Sequence, residues 1–191
     1  MEFKGTHRLE SSRLILRKFV IDDAEDMFKN WASSETVTKY LIWNSHTSIE
    51  ETKSYLADLV KQYKKPEVLN WCIQLKDTNC PIGSICARLI SRPLKSFEVG
   101  YCIGEDWWNK GITTEALKAV IEYLFIDLGA NRIEAYHNVM NTASGNVMEK
   151  CGMRFEGILR EAKIEKDRVV DVCLYSILRK DLEVFKRFCS E

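Results

Sequence analysis

Apolar positions along the chain keep two rhythms, one of period two and one near 3.6, and they switch at clear polar breaks. Leu14, Ile15 and Leu16 stand between Arg13 and Arg17, and this run reads as a short first strand. Asp22 then offers an N-cap with Glu25 three residues on, and Ala24, Met27, Phe28 and Trp31 share one helical face. A second helix opens with the capping box Ser48-x-x-Glu51, turns Leu56, Leu59, Val60 and Tyr63 inward, and closes before Pro66. Extended runs follow at 69–75, 82–90 and 97–103. Only Asp77-Thr78-Asn79 and Arg92-Pro93-Leu94-Lys95 separate them, and connections this short predict an antiparallel meander.

The strongest helical pattern comes next. Ala116, Leu117, Val120, Ile121, Leu124, Phe125 and Leu128 form a broad apolar stripe, with Gly129 as its terminator. A further strand at 132–137 is reached through this helix, and such a crossover implies a parallel pair. Asn141 caps a helix carrying Ala143, Val147, Met148 and Cys151, which stops at Gly152. The runs 155–164 and 168–177 pair as a terminal hairpin around Lys166-Asp167. The expected class is α/β (α+β): a mixed, mostly antiparallel sheet of about seven strands with helices on both faces.

A chain of 191 residues fits a single domain over 1–191 and can bury a full core without a metal or disulfide staple. Lys+Arg and Asp+Glu both number 28, which argues against a nucleic-acid binder, since that role needs surplus cations. The cysteines number seven, none of them in a C-x-x-C pair, so no zinc ribbon or redox dithiol is signalled. Reduced cysteines in strand-like runs fit a cytoplasmic protein. No run approaches the ~20 apolar residues that a membrane span needs.

Candidate chemistry collects at the junction before the strongest helix, Trp107-Trp108-Asn109-Lys110-Gly111-Ile112-Thr113-Thr114-Glu115. A helix start offers unpaired amides and a positive dipole end, Gly111 permits close approach, and Lys110 adds a cation. This is either an anion cradle sized for phosphate or an ordinary strand–helix turn. Neither a Walker P-loop nor a G-x-G-x-x-G is present.

Phe97-Glu98-Val99-Gly100-Tyr101-Cys102-Ile103 followed by Trp108-Asn109-Lys110-Gly111-Ile112-Thr113-Thr114-Glu115-Ala116 resembles motif A of the GNAT acyl-CoA N-acetyltransferases. Leu9-Glu10-Ser11-Ser12-Arg13-Leu14-Ile15-Leu16-Arg17 and Asn141-Thr142-Ala143-Ser144, with Val147, Glu149-Lys150 and Gly152, are similar to its RimJ/RimL branch. That branch is named for acetylating ribosomal-protein N-termini.

The resemblance implies acetyl-CoA as co-substrate, with no metal. It implies a bulge at 99–103 that splays this strand from the one at 132–137, so that backbone at Tyr101, Cys102 and Ile103 holds the pantetheine arm. Amides of Lys110, Gly111, Ile112, Thr113 and Thr114 would hold the pyrophosphate, and Asn141 the pantetheine amide region. Glu98 is the candidate base, with His137 as a second, and Ser144 the group that protonates the leaving thiolate. Thr113 fills a slot that is usually Gly or Ala, and Met148 one that is often a Tyr general acid. The acceptor is expected to be a primary amine, foremost a peptide or protein N-terminal α-amine. Small-molecule amines, a non-catalytic acyl-CoA-binding role and a phosphate-metabolite-binding domain are the alternatives. Neither nucleic acid nor membrane is expected as a partner, and the protein is expected to be a monomer or homodimer.

Overall fold

A computed structural model describes residues 3–182 and Phe185. It contains one eight-stranded sheet in the order β1-β2-β3-β4-β5-β6-β8-β7. The strands are β1 (Leu9–Glu10), β2 (Leu14–Arg17), β3 (Leu69–Leu75), β4 (Pro81–Ser91), β5 (Ser96–Ile103), β6 (Arg132–Asn138), β7 (Arg154–Glu165) and β8 (Arg168–Leu178). The helices are α1 (Ala24–Met27), α2 (Glu35–Thr38), α3 (Ile49–Gln62), α4 (Ile112–Ile126) and α5 (Thr142–Lys150). The strand beyond the expected seven is β1, two residues paired to β2 through Leu9 and Leu16, too short to leave a periodic signal.

The meander expectation holds: β3–β4 and β4–β5 pair antiparallel, and β5–β6 is the parallel pair that the α4 crossover requires. Lys166 and Asp167 both have positive φ (47° and 65°), as a two-residue type I′ hairpin demands. Period-two alternation in β5 divides the molecule. Phe97, Val99 and Ile103 face the core under α4 and α5. Cys102 faces a second cluster, in which α1 and α3 bury Phe19, Met27, Trp31, Leu56 and Leu59 against Cys72.

Local corrections cluster at helix ends. Asp22 is exposed and caps nothing. The first helical segment instead begins as a 3₁₀ turn after Val20, whose N–H donates to Asp23 Oδ2 at 2.8 Å. Arg17 clamps the buried Asp23 through both terminal guanidinium nitrogens. Past α1 the same segment widens into a π-turn at Phe28–Ala32, with Ser33 N–H bonded back to Phe28 O. Asn141 occupies the N-cap position of α5 without a side-chain cap bond. The α4 helix ends at Ile126, and Gly129 (φ 66°) stands beyond it in the turn toward β6. No helix among the described residues is long and apolar enough to cross a membrane.

Candidate active site

The site begins where two parallel strands part. β5 and β6 are in register from Ser96↔Arg132 to Val99↔Ala135, and pairing stops there. Gly100 to Ile103 then pair only with β4, and Tyr136 to Asn138 only with β8. One backbone edge of 100–103 therefore faces a gap. The divergence needs no bulge at 99–103: β5 runs in unbroken register along β4 there, and the irregularity lies at the far end, between Leu89 and Ser91.

The α4 N-terminus lies beside this gap in sequence. Asn109 (φ 58°) and Gly111 (φ 72°) are both left-handed, which folds the chain tightly into the helix. Gly111 is the N-cap and makes no side-chain cap bond, so the first-turn amides keep their donors. Arg13 braces this turn. Its Nη1 donates to Lys110 O at 2.9 Å and its Nε to Glu115 Oε2 at 2.7 Å. Glu115 Oε1 also accepts from Ser11 Oγ, Ser12 Oγ and the Arg13 backbone N–H. Burial pushes the Glu115 carboxyl up, but these hydrogen bonds outweigh it and hold the group below the usual carboxylate range. Trp108 is 40% exposed, and its Nε1 donates to Ile103 O at 2.9 Å.

Across the gap, the Tyr101 hydroxyl lies 2.9 Å from Ser144 Oγ and 3.1 Å from Ser144 O. Burial pushes the Tyr101 phenol up, so it carries its proton at neutral pH. Met148 is core at 1% exposure and presents no proton donor. A tyrosine from the strand thus meets the helix serine where the helix itself supplies none. His137 is buried; its Nδ1–H donates to Asn138 O at 2.8 Å. A Cβ on Gly145 would stand 2.8 Å from His137 Nε2, so that nitrogen is packed against α5.

The opposite sheet face holds Glu98, Gly100 and Cys102. Glu98 is paired with Arg88 at 2.9 Å and Lys163 at 3.5 Å. Lys163 also lies 4.2 Å above the Tyr136 ring. Glu98 and Ser144 thus approach the gap from different faces and make no hydrogen bond to each other. Cys102 Sγ sits 3.2 Å from Ser84 Oγ, and burial pushes its thiol up, which suits filler and not a nucleophile. Lys166 Nζ reaches Thr38 Oγ1 at 3.5 Å, so the β7–β8 hairpin tip meets α2.

The model of the GNAT acetyltransferase domain matches residues 13–154. The chain belongs to that family. This acetyltransferase is 32% identical to the uncharacterized N-acetyltransferase YoaA of Bacillus subtilis, over 90% of this chain and 96% of that one. A GNAT-family acetyltransferase structure from Bacillus anthracis superposes with a TM-score of 0.80 at 28% identity, covering 91% of this chain and 99% of its own. A shorter likeness, 35% identity over 63 residues, joins it to the ribosomal protein uS5 alanine N-acetyltransferase of Escherichia coli, covering 33% of this chain and 32% of that one.

Acetyl-CoA, the family's acetyl donor, fits the residues of this acetyltransferase on two counts. The uncapped α4 start is suited to an anion, and the free edge at 100–103 to an extended polar arm. Among the described residues no group of three or more His, Cys, Asp or Glu could hold a metal ion. Two contributors escaped the sequence reading: the Arg13 guanidinium and the Tyr101 hydroxyl. Arg13 lies within the Leu9-to-Arg17 run, where nothing local signals a reach to Lys110.

Proposed function

We propose that residues 1–191 act as one acetyltransferase domain that modifies the N-terminal α-amine of a peptide or protein. Glu98 carries this reading. Its carboxylate, positioned by Arg88 and Lys163, stands one residue before β5 and β6 part, and the amine that is easiest to deprotonate asks least of a base placed there. An α-amine titrates near ~7.7–8.0 and a lysine near ~10.4, a gap worth roughly 3.4 kcal/mol at neutral pH. The E. coli relative, named as a ribosomal protein uS5 alanine N-acetyltransferase, supports a protein acceptor.

Backbone amides of Lys110, Gly111, Ile112, Thr113 and Thr114 bind the pyrophosphate, and the edge at Tyr101, Cys102 and Ile103, with Asn141, orients the pantetheine arm. When bound, acetyl-CoA supplies the activated acetyl thioester. Glu98 takes the amine proton, directly or through one water. Ser144 Oγ donates toward the leaving sulfur, and the Tyr101 phenol, bonded to the same hydroxyl, holds it in place and can return a proton to it. The protein works in a reducing cytoplasm, as a monomer or homodimer.

The test compares short peptides with free N-termini against the same peptides blocked at the N-terminus but bearing lysine, with thiol release as the readout. Faster turnover on the blocked set, on spermidine or on an aminoglycoside would overturn the α-amine assignment. Calorimetry with acetyl-CoA and CoA, read beside thiol release, separates a catalyst from a non-catalytic acyl-CoA-binding protein.

A further inference from the structure

Tyr101 and His137 stand at matching levels of the strand fork. The last β5–β6 pair is Val99↔Ala135, and each of the two lies two residues beyond it, one on each arm. Alternation puts both side chains on the sheet face of Val99 and Ala135, which α5 covers. There α5 spans the fork with two consecutive residues. Ser144 meets the β5 arm, its Oγ 2.9 Å and its carbonyl oxygen 3.1 Å from the Tyr101 hydroxyl. Gly145 meets the β6 arm, where an added Cβ would stand 2.8 Å from His137 Nε2 and 3.4 Å from the Tyr175 hydroxyl.

A glycine inside a helix weakens it relative to alanine, so one at this position calls for a reason. His137 supplies it. The imidazole is buried and held on two sides: Nδ1–H donates to Asn138 O at 2.8 Å, and the Tyr175 ring is centred 5.6 Å away. Tyr175 is itself tied to α5, since its hydroxyl donates to Glu149 Oε1 at 3.1 Å. The ring therefore has no room to swing from a side chain at 145. His137 Nε2 has no hydrogen-bond partner among the described residues, so it offers the helix a surface to rest on and no route for a proton.

We propose that Gly145 and His137 form a steric stop that fixes how closely α5 approaches the fork, which makes both of them positioning residues for Ser144. The inference rests on the role given to Ser144 above. With the stop on β6 and the Tyr101 bond on β5, the Ser144–Gly145 step places Ser144 Oγ beside the gap. A side chain at 145 has to retreat by about half an ångström to reach ordinary contact with Nε2, and Ser144, next in the chain, retreats with it. The 2.9 Å bond to Tyr101 has little room for that, because O–H···O bonds reach only about 3.0 Å. A displacement of about 1 Å at a catalytic group can cost about 10²-fold, so half of that is enough to read in turnover.

Two measurements test it. The first is independent of catalysis: the Tyr101 ring signals, assigned through Tyr101→Phe, are followed by NMR across the variants. Gly145→Ala should move them, and adding His137→Ala should bring them back toward the wild-type positions. Signals that Gly145→Ala leaves in place, or that the second substitution does not restore, overturn the stop. The second measurement reads kcat by thiol release. Gly145→Ala should lower kcat about tenfold, His137→Ala should lower it less, and the double variant should recover most of the loss. A double variant no faster than Gly145→Ala overturns the proposal. So does a loss of about 100-fold in His137→Ala alone, which would make the imidazole a proton carrier. Should Gly145→Ala fail to fold, a folded double variant with Tyr101 signals like the wild type supports the stop, and an unfolded one overturns it. Wild-type turnover in Ser144→Ala, with Tyr101 signals that move in Gly145→Ala and return in the double variant, supports the stop and overturns the role of Ser144 proposed above.

Discussion

Two helices of similar length begin in opposite ways. At α3, Ser48 Oγ accepts from Glu51 N–H at 3.3 Å, while the Glu51 carboxylate takes the Thr47 backbone N–H at 2.9 Å. At α4, Gly111 offers no side-chain oxygen, and the nearby Glu115 carboxylate is drawn away by Ser11, Ser12 and Arg13. The first helix start satisfies its own donors; the second keeps them available and places a guanidinium beside them. An unsatisfied helix start with an external brace is thus open to an anion, and a capped one offers it fewer free donors.

The comparison breaks most sharply at Gly111. Gly111→Asp puts a carboxylate where the pyrophosphate would sit and forces a Cβ into a left-handed backbone (φ 72°). Like charges about 4 Å apart at a protein surface repel by about 4 kcal/mol, so acetyl-CoA affinity should fall roughly a thousandfold in calorimetry. Unchanged affinity in a folded variant would sink the cradle. Next in size is proton traffic, which sharpens the contrast by separating holding from chemistry. Glu98→Gln and Ser144→Ala should each lower turnover by ~10²-fold while the acetyl-CoA Kd stays put. Wild-type turnover in both would move the proton path to water or other groups.

What the sequence made legible follows the same division between local and distant. The stripes of α3 and α4, the meander and the parallel crossover come from periodicities within a dozen residues, and all were readable. Gly111 as the left-handed residue that opens α4 was readable as well, because the glycine and its neighbours are contiguous. Arg13 to Lys110 and Tyr101 to Ser144 were not, since each joins elements tens of residues apart that only the folded sheet brings together. Local reasoning also slipped at caps. Asp22 fits the capping pattern, yet Asp23 does the work, because the tertiary clamp from Arg17 selects which of the two acids turns inward.

A smaller effect is expected at the structural helix start. Ser48→Ala removes the acceptor for Glu51 N–H, and losing such a cap costs about 1 kcal/mol. For a domain of this size that is a fall of roughly 2–4 °C in Tm. Acetyl-CoA affinity should be unchanged, because α3 packs on the sheet face away from α4. A Ser48→Ala variant that lost cofactor affinity without losing stability would erase the distinction between the two starts.

The smallest effect concerns the brace, and it is visible only against pH. Glu115→Gln keeps an oxygen for Ser11, Ser12 and the Arg13 N–H but loses the charge that pairs with the Arg13 guanidinium. Arg13 is half exposed, so solvent screens the pair and its worth is about 0.2–1 kcal/mol. The folded carboxyl titrates below its ordinary value, and the sign follows from that. Wild-type Glu115 is ionised in both folded and unfolded chains well above the unfolded pKa of ~4.3, where its stabilisation is complete. As pH falls through the depressed folded value, the folded chain must take up the proton too, and the advantage disappears. The Tm of the wild type should therefore exceed that of Glu115→Gln by about 1–3 °C near pH 7, and the two curves should converge as pH drops below 4. A gap that widens toward acid would mean that the carboxylate is strained by burial and not held by Arg13. The α4 start would then need another source for its geometry.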